Sequence, residues 1–432
     1  MANLLNDTIS AEAPVVYSML SDLGRRIYFP SKGILSQAAE AGKMAKKFNA
    51  TIGTAKESGT AMNLPCVMED LPGFSPNVLL YAPSPGVPAL RQAWKNKVLH
   101  DNPSLAGVPV SSPVVTNGLS HALSLAGDMF INPGDKVLIP DLNWDNYLLN
   151  FQDRLQAELC YYPFFDGDHL NTAAFDKALQ EIPAGEKVFI VLNFPNNPTG
   201  YTPVEEEGDA LAASLIAAAE RGVRVIALID DAYYGLFYDS RCMTESLFCR
   251  IAGKHENLLA IKADAATKEC YVWGLRVGFL TFAVAGAAEG CALYTALEQK
   301  VAGIIRSAIS NCASLSQQIV AKALNSPDFY EQRAAKAAVM QKRCECVRRT
   351  LEAHPEYSRY FQAYPFNSGY FMCIRTLKTP AEELRRYLLT NYETGGIAMG
   401  EYNLRLAFSC LEEEQIPELF DTIYKALAEI EG

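Results

Sequence analysis

The chain has 432 residues, 49% hydrophobic and 20% charged, a mixture that builds a packed core and excludes a disordered polymer. A formal net charge of −11 argues against nonspecific binding to nucleic acid or to anionic lipid, both of which attract basic surfaces. No apolar run approaches the ~18 residues that span a bilayer, no basic-then-apolar leader opens the chain, and eleven scattered cysteines fit reduced thiols, so the expectation is a cytoplasmic protein of two to three domains.

In chain order, residues 1–60, with turn signals at Pro30-Ser31-Lys32-Gly33, are expected to contribute to a smaller domain. Residues 61–315 read as a large domain. Short apolar runs alternate there with helical patterns: Val114–Thr116, Lys136–Ile139, Val188–Leu192, Val225–Ile229, Leu258–Ile261 and Phe279–Phe282. None alternates with polar residues, which is how strands of a parallel sheet covered on both faces read. Glu205 to Arg221 reads as a helix stopped by Gly222. Residues 316–432 read as a smaller α+β domain, with strands at Gly369–Arg375 and Leu404–Ser409. Its last helix carries Ile416, Leu419, Phe420, Ile423, Leu427 and Ile430 on one face.

Ligands of open parallel sheets sit outside the carboxyl ends of the strands. The first run is followed by Asn117-Gly118-Leu119-Ser120-His121, opening a helix, and the second by Pro140-Asp141-Leu142-Asn143-Trp144. The third ends in Asn193-Phe194-Pro195-Asn196-Asn197-Pro198-Thr199-Gly200, and the fourth in Asp230-Asp231-Ala232-Tyr233. After the fifth comes Lys268, eight residues before Arg276 in Gly274-Leu275-Arg276-Val277-Gly278.

With these motifs, in this order, the sequence resembles the class I/II aminotransferases, the fold-type-I pyridoxal-phosphate enzymes typified by aspartate and aromatic aminotransferases. The resemblance runs from about Tyr81 to Arg405. It implies an α/β fold, with a large domain built on a mostly parallel sheet of the seven-stranded type and a smaller α+β domain. It also implies pyridoxal 5′-phosphate as cofactor, held as a covalent aldimine on Lys268, and transfer of an amino group from an L-amino acid to a 2-oxo acid.

Chemistry gives each residue a reason. The cofactor aldehyde needs an amine that later moves a proton between two carbons, which falls to Lys268. Its ring nitrogen stays protonated only against a carboxylate, Asp230, and its ring oxygen takes donors from Tyr233 and Asn197. A phosphate wants helix N-terminal N–H groups and a cation, here Gly118, Leu119, Ser120 and Arg276. Trp144 offers the ring an aromatic face. Arg405, in Asn403-Leu404-Arg405-Leu406, matches the family position whose guanidinium forks onto the substrate carboxylate. Two more positions carry over from the resemblance. Tyr81 is similar to a tyrosine reaching the phosphate of a neighbouring subunit. Arg306 is similar to an arginine binding a dicarboxylic substrate's second carboxylate across a homodimer interface. Together they imply active sites shared between two subunits; Arg306 suggests a dicarboxylic substrate such as aspartate or glutamate, while Trp144, Tyr233 and nearby aromatics would not exclude an aromatic one.

The chain departs from the family pattern in places. Ala265 stands three before Lys268, where many members carry a phosphate-binding serine; Ser120 or Thr267 would substitute for it. Asp231 offers a second acid beside Asp230, Lys262 a second lysine, and Cys312 replaces a proline after Ser310-Asn311. Two other functions fit parts of the pattern. A pyridoxal-phosphate lyase, either a carbon–sulfur β-eliminase or a cyclopropane-forming synthase, would use the same lysine. An effector domain of a transcription regulator would need a DNA-binding domain ahead of Tyr81, and the preceding segment is short and not basic. The five histidines show no metal-ligand spacing, and Cys344-Glu345-Cys346 lacks a second pair, so no metal is expected.

Overall fold

A computed structural model describes residues 2–26, 56–57, 60–61 and 73–432. Three short helices open it: α1 (Ala2–Glu12), α2 (Pro14–Met19) and α3 (Asp22–Arg26). The large sheet and its helices follow as α4 (Pro88–Asp101), β1 (Val114–Thr116), α5 (Leu119–Phe130), β2 (Lys136–Pro140), β3 (Glu158–Tyr162), β4 (Lys187–Asn193), α6 (Glu205–Glu220) and β5 (Arg224–Asp230). Then come β6 (Leu258–Ala265), the one-turn helix α7 (Ala266–Glu269), β7 (Gly278–Ala283), α8 (Ala292–Ile309) and α9 (Ser314–Leu324).

The seven strands lie in the order β1-β7-β6-β5-β4-β2-β3. Because side chains alternate across a strand, β5 sends Ile226 and Leu228 into one core and Val225, Ala227 and Ile229 into the other. All eight residues of β6 are buried. Both faces are thus covered, which is why these strands read as unbroken apolar runs.

One strand departs from the expectation of a parallel set. β7 runs antiparallel to both neighbours, with Ala265 opposite Gly278 and Thr116 opposite Gly278 on the other side. A parallel neighbour needs a crossover that carries the chain back along the sheet. The connection between β6 and β7 holds only α7 and a short 3₁₀ turn at Trp273–Leu275, so the chain folds straight back.

The opening helices pack beside the large sheet, α1 against α8 and α3 against α5, with Ile9, Val16 and Met19 buried. Ser21 Oγ donates to the Asp128 carbonyl at 2.8 Å, and the Asp22 N–H donates to Asn132 Oδ1 at 2.7 Å. The Pro30–Gly33 turn lies outside the described residues.

The rest of the chain forms α10 (Phe329–Ala353), β8 (Phe361–Ala363), β9 (Met372–Thr376), α11 (Ala381–Tyr392), β10 (Ile397–Met399), β11 (Asn403–Leu406) and α12 (Gln415–Glu431). Its four strands make an antiparallel sheet, β8-β9-β11-β10. Helix α12 buries Ile416, Phe420, Ile423 and Leu427, with Leu419 and Ile430 half-buried beside them. Helix α9 keeps Val320 and Ala321 in the cluster of Leu90 and Trp94 from α4, so the body around the large sheet continues past residue 315.

Candidate active site

The carboxyl ends of β1, β2, β4, β5 and β6 converge on one cavity of about 230 Å³. At the end of β1, Gly118 turns the chain into α5 with φ +81°. A Cβ built there would collide with the Arg276 guanidinium, so only glycine lets that cation rest on the helix entrance. Leu119 and Ser120 come next, with first-turn N–H groups that no carbonyl of the helix can satisfy. Beside Arg276 they make a seat for an anion.

On the opposite wall, Asp230 ends β5 and is 1% exposed. Tyr147 donates its hydroxyl to Asp230 Oδ2 at 2.6 Å, and the Ala232 N–H donates to Oδ1 at 3.1 Å. Burial pushes the Asp230 carboxyl up to about 6, against the downward pull of the Tyr147 hydroxyl and of Lys268. Lys268, on α7, reaches the same cavity and stands 4.5 Å from the centre of the Tyr233 ring. Burial holds its amine below the ordinary lysine range; Asp230 opposes that shift and Arg276 adds to it.

The third wall comes from β4 and the smaller sheet. Asn193 Nδ2 donates to the Asp230 carbonyl at 2.9 Å, and its Oδ1 accepts from the Asn197 N–H at 2.8 Å. Asn197 Oδ1 then accepts from Arg405 Nη1 at 2.8 Å. The Arg405 guanidinium carbon lies 4.3 Å over the Phe371 ring, and that ring meets Tyr233 edge-on at 5.5 Å. Trp144 lines the cavity and meets Tyr147 edge-on, 5.8 Å between centres.

Nine residues expected from the sequence therefore line one space: Leu119, Ser120, Trp144, Asn197, Asp230, Tyr233, Lys268, Arg276 and Arg405. Gly118 stands directly behind them, against Arg276. Tyr81 and Arg306 do not reach this cavity in their own chain. Tyr81 is 65% exposed, and Arg306, in the last turn of α8, hydrogen-bonds to Ser310 Oγ. Ser84 Oγ donates to the Ser310 carbonyl at 2.9 Å, so the segments carrying Tyr81 and Arg306 lie side by side.

The competing acid and lysine face elsewhere. Lys262 is buried in an ion pair with Asp231, 3.4 Å from Asp264, and neither Lys262 nor Asp231 lines the cavity. Sequence reading missed Tyr147, Asn193 and Phe371. The three-residue step from Trp144 to Tyr147 is the one available signal, since it puts both on one side of a helical turn.

The residues present fit a pyridoxal phosphate. Thr267 Oγ1 is buried in the cavity wall without a hydrogen-bond partner, as is Arg405 Nε. A phosphate oxygen would supply the partner that Thr267 Oγ1 lacks. A buried carboxylate, an amine held below the ordinary lysine range and a flat aromatic wall would answer a protonated ring nitrogen, an aldehyde and a ring. Among the described residues, no group of three or more His, Cys, Asp or Glu could hold a metal ion.

Comparisons with known proteins show what the chain is similar to. The family model "Aminotransferase class I and II" matches residues 45–423. A probable aspartate/prephenate aminotransferase of Aquifex aeolicus is 27% identical over 81% of this chain and 84% of its own. The cytoplasmic aspartate aminotransferase of Saccharomyces cerevisiae is 25% identical, and that match spans 51% of this chain and about half, 52%, of the yeast protein. Among solved structures, an aminotransferase from Anaerococcus prevotii superposes with a TM-score of 0.70 at 21% identity, covering 94% of this chain and 96% of that one. A Thermus thermophilus aspartate aminotransferase variant gives 0.65 at 18% identity, over 94% and 99%. The chain belongs to the aminotransferase class I and II family and is an aminotransferase.

Proposed function

We propose that the chain binds pyridoxal 5′-phosphate through Lys268 and moves an amino group from an L-amino acid to a 2-oxo acid, working as a cytoplasmic homodimer. One observation carries this reading: Lys268 and Asp230 share a cavity bounded by an anion seat at Arg276 and a guanidinium fork at Arg405. When bound, the cofactor supplies an electron sink that lets an amino acid lose its α-proton.

The residues do the rest. Burial holds the Lys268 amine below the ordinary lysine range, a shift toward the unprotonated form that suits a group that must take a proton from one carbon and deliver it to another. Asp230, braced by Tyr147 and Ala232, would hold the proton on the ring nitrogen of a bound cofactor. Arg405 presents two parallel N–H donors to a carboxylate, steadied by Asn197 on one side and Phe371 on the other. Trp144, Tyr233 and Phe371 give the cavity an apolar wall that accommodates an aromatic substrate. A second carboxylate, as in aspartate or glutamate, finds its cation in Arg306 of a second subunit, and that subunit's Tyr81 reaches the phosphate. The names of the relatives, aspartate and aspartate/prephenate aminotransferases, support a dicarboxylic substrate. No helix among the described residues is long and apolar enough to cross a membrane.

The test is spectroscopic and chemical. Purified protein titrated with pyridoxal phosphate is expected to gain the visible absorbance of lysine-bound cofactor. Borohydride is expected to fix the label on the peptide carrying Lys268, and amino donors to transfer to 2-oxoglutarate. A label on Lys262, or none, overturns the assignment.

A further inference from the structure

Lys268 and Glu269 are neighbours on the single turn of α7, and their side chains part company. Lys268 enters the cavity, whereas the Glu269 side chain is 0% exposed and forms a buried ion pair with Lys97 of α4. Arg333 of α10 stands 3.7 Å from the same carboxylate. Asp101, at the end of α4, then lies 3.0 Å from Lys97 and 2.7 Å from Arg333. Two cations and two anions close a ring whose members come from three helices. Helices α4 and α7 flank the large sheet, while α10 packs Met340, Cys344 and Val347 into the core shared with Phe420 of α12.

Burying four charges carries a desolvation cost that apolar side chains of the same volume would avoid, so such a ring is weak evidence for stability; its best-attested use is to fix position. Something here needs fixing. In the segment after Glu269, Tyr271 has φ +56° and Arg276 φ +53°, left-handed values that residues with side chains hold only under constraint from their surroundings. Lys262 and Asp264 also act on the Glu269 carboxylate, the first favouring its charge and the second opposing it.

We propose that Glu269 is a positioning residue for Lys268 and Arg333 its counterpart on α10, so that the ring sets the place of the catalytic amine according to how α10 is seated. The proposal rests on the reading of Lys268 as the cofactor-binding amine.

Two variants test it. Lys97→Met/Glu269→Gln removes one charge of each sign and leaves the Arg333–Asp101 pair intact. Arg333→Met cuts only the arm from α10. In cofactor-free protein, the pH dependence of Lys268 reductive methylation is read by peptide mass spectrometry. Both variants are expected to raise its midpoint by about one pH unit, because a loosened amine reaches water and titrates more like an ordinary lysine. In the loaded enzyme, kcat is expected to fall about tenfold with KM for the amino donor within about twofold, and Arg333→Lys to recover most of the loss. A folded variant with wild-type midpoint and kcat overturns the proposal. So does one whose KM rises while the midpoint stays put, which is the mark of general loosening. If the double variant does not fold, Arg333→Met alone decides the matter. If wild-type Lys268 titrates as an ordinary lysine and takes up no pyridoxal phosphate, the failure belongs to the reading of the site and not to the ring.

Discussion

Asp230 is a carboxylate held where a carboxylate is uncomfortable. Its acid form is favoured by burial, and the folded value near 6 lies above the 3.8 of an unhindered aspartate. A group raised on folding contributes fully below its unfolded value, and that contribution is lost as pH climbs through the folded one. Without cofactor, the protein thus carries a penalty at neutral pH of at most ~3 kcal/mol, the equivalent of about two units. Asp230→Asn removes the charge and keeps an oxygen for the Tyr147 hydroxyl. The cofactor-free variant is expected to melt above the wild type at pH 7.5, with the gap closing near pH 4. With pyridoxal phosphate present the order is expected to reverse, since an amide cannot hold the ring proton. Melting curves at both pH values, with and without cofactor, check both halves. A wild type that is the more stable form throughout would mean that Asp230 bears no such strain.

At the scale of elements, the β1–α5 junction is the proposed anion seat. Helix α5 starts from a glycine in a left-handed conformation, and Arg276 occupies the space a side chain would need. Gly118→Ala is expected to push the guanidinium off the helix entrance and lower pyridoxal phosphate affinity by about tenfold or more, while costing the fold only ~1–2 kcal/mol of backbone strain. Equilibrium titration of cofactor beside a urea unfolding curve separates the two effects, and unchanged affinity would remove Gly118 from the seat. Junctions of this kind were legible because strands buried on both faces write themselves as apolar runs, and the residues just beyond each run then form the cavity rim. The direction of β7 was not legible. Phe279–Phe282 is apolar either way, and only the short connection through α7 decides. Edge strand β3 was invisible for a related reason: Glu158, Leu159, Cys160 and Tyr161 are exposed or half-buried, so no apolar run marks them. Tyr147 and Phe371 acquire their roles from partners far away in sequence, Asp230 and Arg405, and pattern within one segment cannot show that.

The whole molecule poses the question that a single chain leaves open. Nine expected residues meet in one cavity, while Tyr81 and Arg306 lie outside it, on segments joined by the Ser84–Ser310 hydrogen bond. Their resemblance to family positions was legible in the sequence. The proposed target on another subunit would leave no trace in their own chain. A two-fold assembly makes each such pair reciprocal: whatever one subunit lends, it receives. That reciprocity can be measured by complementation. Lys268→Ala lacks the amine but keeps both outer residues, and Tyr81→Ala/Arg306→Ala lacks the outer residues but keeps the amine. Each is expected to be weak alone toward a dicarboxylic donor. When the two are unfolded together and refolded at equal concentration, half of the dimers are mixed, and each mixed dimer holds one complete site. Activity is then expected to recover to roughly a quarter of the wild-type value. If the mixture shows only the average of its two parents, Tyr81 and Arg306 serve their own chain's surface, and the cation for a second carboxylate must be sought elsewhere.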